Sequence, residues 1–145
     1  MTTRIFPTAQ DAENAFYEAL ERCDLDGMMA VWAEDEEIVC VHPAGGRLSG
    51  QDQVRESWAR IFAAGPRARV RIEQQVAISG MMLAVHSVFE TFTLPGQAER
   101  QPLPVVATNV YLRTAAGWRM IVHHASPAPA QPQAAPRDAP PKTLH

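Results

Sequence analysis

The sequence predicts an α+β domain in which helices come first and a run of antiparallel strands follows. Three observations carry this. Apolar residues recur at helical spacing between residues 9 and 62. From Val70 onward the pattern changes to alternation of apolar and polar residues. Short turn signals, Gly80 and Ala115-Ala116-Gly117, separate the later runs and leave no room for crossover helices. The expected order is ααβαββββ, three helices packed on one face of a mostly antiparallel sheet.

In the first helix, residues 9–23, Ala12, Ala15, Phe16, Ala19, Leu20 and Cys23 form one stripe. Thr8 with Asp11 has the form of a capping box. Asp24 can cap a short second helix from Leu25 to about Ala33. The acidic stretch Glu34 to Glu37 leads into a strand, Ile38 to His42, and Pro43-Ala44-Gly45-Gly46 reads as a turn. Ser49 with Asp52 repeats the capping signature ahead of a third helix, whose stripe is Val54, Trp58, Ile61 and Phe62 and whose stop is Gly65-Pro66. Val70, Ile72, Val76 and Ile78 alternate with polar residues and predict one buried face and one wet face. Met81 to Leu94 reads as a long strand apolar on both faces, followed by a loop to Pro104. Val105 to Arg113 and Trp118 to Ala125 are the last two strands.

The chain has 145 residues, enough for one domain and not for two. Residues 1–126 are expected to form it. Residues 127–145 hold six of the twelve prolines and five alanines, and are expected to be a disordered tail because they cannot bury enough apolar area to offset their ordering entropy. The longest apolar run, Met28 to Ala33, is far short of the roughly 20 residues of a spanning helix, so no membrane role is expected. No signal peptide is visible, and Cys23 and Cys40 are expected as reduced thiols in a cytoplasm. The charge is divided: residues 1–40 carry ten acids and two bases, the remainder eleven bases and six acids. Arg67, Arg69 and Arg71 form the one basic cluster, without the interleaved aromatics and broad basic field of a nucleic-acid site.

Three motifs resemble the nuclear transport factor 2-like superfamily, which includes SnoaL-like polyketide cyclases, ketosteroid isomerases and the association domain of calcium/calmodulin-dependent kinase II. The first is Asp24-Leu25-Asp26-Gly27 followed by Trp32-Ala33-Glu34-Asp35. The second is Val41-His42-Pro43-Ala44-Gly45-Gly46, then Leu48-Ser49-Gly50 and the helix carrying Trp58. The third, Trp118 to Ser126, spells W-x5-H-x-S through His124 and is similar to the last strand of the kinase association domain. The resemblance covers residues 9–127 and implies a cystatin-like cone: a curved sheet wrapped by helices, with a pocket in its open end. It also implies a homodimer joined through the sheet.

In the isomerase branch a carboxylate base precedes the proline that ends the first strand, and a tyrosine with a protonated aspartic acid holds the enolate oxygen; that enzyme is a standard example of pKa tuning. This sequence departs at all three positions. His42 stands where the base is expected, Phe16 where the tyrosine is, and Asn109 where the second acid is. His42 is a competent base near neutrality, and Asn109 can donate an amide hydrogen to an oxyanion. Phe16 cannot donate, and Tyr17 lies roughly 100° round the helix, too far to replace it. His42 and Asn109 are therefore the catalytic candidates. Phe16, Tyr17, Trp32 and Trp58 are candidate pocket residues on the helices. His86 and Glu90 share a strand face with Val88 and Phe92, and Tyr111 shares one with Asn109; with His124 they complete the ligand-binding set. Metal binding is not expected, since His86 and Glu90 lie about 13 Å apart along a strand, too far for one ion. No cofactor motif is present.

Two functions remain open. One is cofactor-free proton transfer of isomerase, cyclase or dehydratase type on a small hydrophobic carbonyl compound. The other is a non-catalytic ligand-binding and oligomerisation domain.

Overall fold

The computed structural model describes residues 4–96 and 103–129. Its elements are α1 (Ala9–Arg22), α2 (Leu25–Val31), β1 (Val39–Val41), β2 (Arg47–Ser49), α3 (Gln51–Ala64), β3 (Arg69–Ser79), β4 (Leu83–Thr93), β5 (Leu103–Thr114) and β6 (Gly117–Pro127). The six strands form one mixed sheet in the order β2-β1-β6-β5-β4-β3. All pairings are antiparallel except β1 with β6. Helix α1 touches β3, β5 and β6, so the sheet curls around it, and α2 bridges α1 and α3.

Local chemistry explains the helix ends. Thr8 accepts from the Asp11 backbone N–H at 3.0 Å, and Asp24 accepts from that of Gly27 at 3.0 Å. Cys23 closes α1 in the left-handed conformation, with its N–H on the Leu20 carbonyl. The third cap differs from expectation. Gly50 occupies the N-cap of α3 without a side-chain bond, and the Ser49 N–H instead donates to Gln53 Oε1.

The expected order ααβαββββ is corrected to ααββαββββ. The Pro43–Gly46 turn folds the chain back so that Arg47–Ser49 pairs with Val39–Val41. Three residues are too few to show alternation, which is why β2 is invisible in the sequence. Strand β5 begins at Leu103, two residues earlier than expected, and β6 runs through Pro127. Most of the expected tail, residues 130–145, lies outside the described residues. The β5–β6 turn depends on Gly117, whose φ is 92° and where a Cβ would stand 2.8 Å from the Phe6 carbonyl oxygen.

A second correction concerns β3. Val70 and Ile72 face inward, as alternation predicts. Gln74, with φ of 51°, then starts a bulge: Glu73 pairs with Phe89 but Val76 pairs with Ser87. The extra residue inverts the alternation. Val76 and Ile78 therefore turn to the outer face, where they are 60% and 65% exposed. There they join Val85, Phe89, Val106, Val110, Val122, Val39 and Val41, placed on that face by the strand registers.

Candidate functional site

The inner face of the sheet is layered by register. Deepest lie Tyr111 and Met120. The next row runs Cys40, His123, Asn109, His86. A row of small residues follows, Ala125, Ala107 and Val88, and then Val105, Glu90 and Ile72. Helix α1 presents Glu13, Phe16, Tyr17 and Leu20 over these rows from its buried side. The face of Asn109 and Tyr111 turns inward, and so does the face of His86 and Glu90, whose direction alternation alone leaves undecided: all four residues are 3% exposed or less.

Two carboxyl groups organise this interior. Glu13, 1% exposed, meets four donors. Gln75 Nε2 donates to one oxygen at 2.6 Å. His86 Nδ1 at 2.8 Å, Tyr111 Oη at 2.7 Å and Asn109 Nδ2 at 3.3 Å donate to the other. Glu90, 2% exposed, meets one: the Tyr17 hydroxyl donates to it at 2.5 Å. Burial outweighs that bond and raises the Glu90 carboxyl from an ordinary 4.5 to about 7, with Glu13 adding to the rise. Burial, followed by the Glu90 charge, pushes the Tyr17 phenol far up, so Tyr17 remains a donor. Tyr111 is raised for the same reasons, burial first and then Glu13.

Asn109 links the two. Its Nδ2 donates to Tyr17 Oη at 2.9 Å and to Glu13, and its Oδ1 accepts from His123 Nδ1 at 2.6 Å. That bond assigns the Nδ1–H tautomer to His123, because an amide oxygen only accepts. Burial holds His123 neutral, lowering it to about 3. Asn109 is fully buried with its donors already engaged, so the expected direct donation to a ligand oxygen has no free hydrogen in this arrangement. The Tyr17 hydroxyl reaches Asn109 although Phe16, one position earlier, is also inward. The reason is length. The phenol carries its hydroxyl far enough from the helix to meet both Glu90 and Asn109.

His42 stands apart from Asn109, with no hydrogen bond between them among the described residues. Its ring meets Trp58 edge-on, centroids 4.6 Å apart, and Nε2 lies 2.9 Å from Ser57 Oγ. Ser57 spends its own proton on the Val54 carbonyl at 3.0 Å. Nε2 therefore donates to Ser57, and Nδ1 keeps its lone pair. Burial lowers the His42 pKa, leaving it neutral at pH 7. Burial and then the nearby Glu90 charge push Cys40, between these groups, up to about 12, as expected of a core thiol. Phe16 packs on Tyr17, Trp58 and His123. The indole N–H of Trp58, a residue only 2% exposed, has no partner among the described residues; such a buried orphan donor costs about 1–3 kcal/mol.

A cavity of about 180 Å³ opens beyond the Glu90 row, lined by Leu20, Cys23, Ile61, Phe62, Gly65, Pro66, Ala68, Val70 and Phe92. A comparable void of about 150 Å³ accommodates a benzene ring. Leu20 lies one turn from Tyr17, Phe92 two residues from Glu90, and Phe62 rests on Trp58 at 5.6 Å.

None of the expected site residues is among those lining this cavity, and two of them also lie away from the inner network. His124 points outward and is exposed, because alternation along β6 gives the interior to His123. Trp32 is buried between α2 and β6, bridged to Met120, and its indole N–H has no partner among the described residues. Sequence reasoning missed Glu13, Gln75, Ser57 and His123. Only Glu13 left a signal: it stands between Ala9 and Tyr17, four residues from each, on the stripe that should be apolar. No cluster of three potential metal ligands occurs among the described residues, and none of their helices is long and apolar enough to cross a membrane.

Comparison with known proteins places these features in a family. The chain is similar to a Thiobacillus denitrificans structure provisionally named a calcium/calmodulin-dependent protein kinase type II association domain: 41% identity, TM-score 0.80, covering 87% of this chain and 99% of that one. It is also similar to a Streptomyces avermitilis structure provisionally named a dehydratase of the nuclear transport factor 2-like family, with 31% identity, TM-score 0.72, and 82% and 93% coverage. A Parabacteroides distasonis structure provisionally named a ketosteroid isomerase shares the fold at 18% identity, TM-score 0.68, with 83% and 88% coverage. No curated protein matches the chain in sequence. The family described as SnoaL-like domain matches residues 10–131, and with that match over most of its length the chain belongs to the SnoaL-like, nuclear transport factor 2-like family.

Proposed function

We propose that the 180 Å³ cavity admits a small hydrophobic carbonyl compound and that the chain moves a proton on it without a cofactor, in the manner of an isomerase, cyclase or dehydratase. The observation that carries this reading is the Tyr17–Glu90 pair, a phenol donating to a carboxyl held near 7, with Glu90 one inward-facing row from Val70 and Phe92 of the apolar cavity's lining. Half of the Glu90 carboxyls carry a proton at that pH, so the pair can offer a hydrogen to a ligand oxygen as its charge develops. A tyrosine and a protonated acid thus stand in the interior after all, on Tyr17 and Glu90 rather than on Phe16 and Asn109. His42, neutral with a free Nδ1 lone pair, is the base. Asn109 acts as a positioning residue that holds Tyr17.

The test is exchange of the α-protons of cyclopentanone in D2O, followed by NMR. The wild-type chain accelerates exchange over an equal concentration of imidazole, and His42→Ala loses the acceleration with its melting temperature unchanged. An equally active His42→Ala variant sinks the role of His42. No acceleration by the wild type sinks the reading.

Two observations favour the second reading, a non-catalytic ligand-binding and oligomerisation domain. Phe16, Tyr17, Trp58 and Tyr111 fill the deep interior, and the outer sheet face presents a continuous apolar band. In that reading the bands of two copies pack together as a homodimer. A monomer in sedimentation at micromolar concentration contradicts it.

A further inference from the structure

A larger cavity, of about 730 Å³, lies at the opposite end of the domain from the Glu90 cavity. One wall carries Arg4, Arg113 and Arg119, from the N-terminal segment and the β5–β6 hairpin. The other carries Glu34, Asp35 and Glu36, from the loop between α2 and β1. The volume is in the range of small-molecule sites. Three cations and three carboxylates share this one concavity. Yet among the described residues no carboxylate comes within 4.0 Å of any of the three arginines. The opposed charges line one concavity without forming an ion pair.

Arg119 sharpens the point. The residue is 5% exposed, and its guanidinium lies over the Phe6 ring at 4.9 Å, with that of Arg4 over the same ring at 5.0 Å. It donates to the Trp118 and Arg4 carbonyls. A guanidinium has five N–H donors, so three remain without an acceptor among the described residues. A largely buried cation with no carboxylate in contact is costly, and Phe6 stacks against this one at the cavity lining. Burial lowers its pKa, against an opposing pull from Glu34 across the space.

We infer that this cavity binds a small organic zwitterion, its carboxylate on Arg119 and its ammonium at the Glu34–Glu36 wall. A simple anion meets the acidic wall and a simple cation meets the arginines, so each is disfavoured by half of the site. A molecule carrying both charges satisfies both walls. This site is independent of the proton-transfer reading, since it shares no residue with it.

Calorimetric titration of the full chain at low salt tests the inference. The probes are unbranched ω-amino acids from glycine to ε-aminocaproate and beyond, with caproate and hexylammonium as single-charge controls. One chain length is expected to bind best, about tenfold tighter than either control, as one well-placed charge pair at a partly enclosed site allows. Glu34→Gln, Asp35→Asn and Glu36→Gln together remove the preference for the zwitterion over caproate. These side chains are exposed, so that variant keeps its fold. Arg119→Gln abolishes binding of zwitterion and caproate alike where its melting curve shows it folded. The inference is overturned by absence of binding up to about 10 mM of every ω-amino acid, a concentration that corresponds to only about −3 kcal/mol. It is equally overturned if caproate binds as tightly as the best zwitterion, or if the triple variant leaves the preference intact.

Discussion

Glu13 and Glu90 are both buried in the same interior, both beside a tyrosine, and both joined to Asn109 directly or through one hydroxyl. They differ in what faces them. Four donors converge on Glu13 and one on Glu90. A buried carboxylate with a full set of donors is a structural hub. One with a single donor is left to burial, which holds it near 7. Donor count, more than depth, separates the two: Glu13 ties four side chains together, while burial governs the proton on Glu90.

The largest test of that difference is Glu13→Ala. It strands Gln75, His86, Asn109 and Tyr111 at once, and urea unfolding should show a loss of about 3–5 kcal/mol. Glu90→Gln should do the opposite. Because folding raises the Glu90 pKa, the folded state holds more protons than the unfolded chain between pH 4.5 and 7. Stability due to this group therefore falls as pH rises through that window, and stays reduced above it. Removing the charge should stabilise the protein by roughly 2–3 kcal/mol at pH 8 and change little at pH 4.

His123 works in the other direction. Its pKa falls on folding from 6.5 to about 3, so the unfolded chain binds the extra proton and stability falls as pH drops from 6.5 toward 3. Between pH 4.5 and 6.5 the two slopes oppose each other. The wild-type melting temperature should be nearly flat there, decline below pH 4.5 through His123, and decline between 6.5 and 7 through Glu90. A sharp maximum at pH 8 contradicts this balance.

Tyr17→Phe is a smaller change. It takes away the one hydrogen bond that favours the Glu90 charge, and should move that pKa further up in a titration of that carboxyl. The smallest effect belongs to His124→Ala, less than about 0.5 kcal/mol on the stability of the isolated chain. It lies outside the network on the exposed face, one residue from His123. A large effect would mean that the outer face is packed against something in solution.

Much of this architecture is legible in the sequence, and the reasons for the exceptions are physical. The α1 stripe and the alternation of β5 point Phe16, Asn109 and Tyr111 inward from the sequence alone, whereas alternation along β4 groups His86 with Glu90 without saying which way they face. The β3 bulge was hidden because Val76 and Ile78 keep even numbering with Val70 and Ile72, while one extra residue inverts their side. His123 was overlooked in favour of its neighbour because the motif match fell on His124; only register decides which of two adjacent histidines turns inward. Helical angle argues against Tyr17 as the oxyanion donor and keeps it as a pocket residue, but it does not foresee the bonds of its hydroxyl to Glu90 and Asn109. The difference between Glu13 and Glu90 arises from partners 62 to 98 residues away in sequence, beyond any local pattern.

The distinction between the two carboxyl groups can be measured directly by following the Glu90 side-chain carboxyl carbon by 13C NMR across pH, with Glu90→Gln to assign the signal. An inflection near 7 is the predicted result. An inflection below about 5, in the range of ordinary carboxyl groups, would contradict it and leave Glu90 as structural as Glu13.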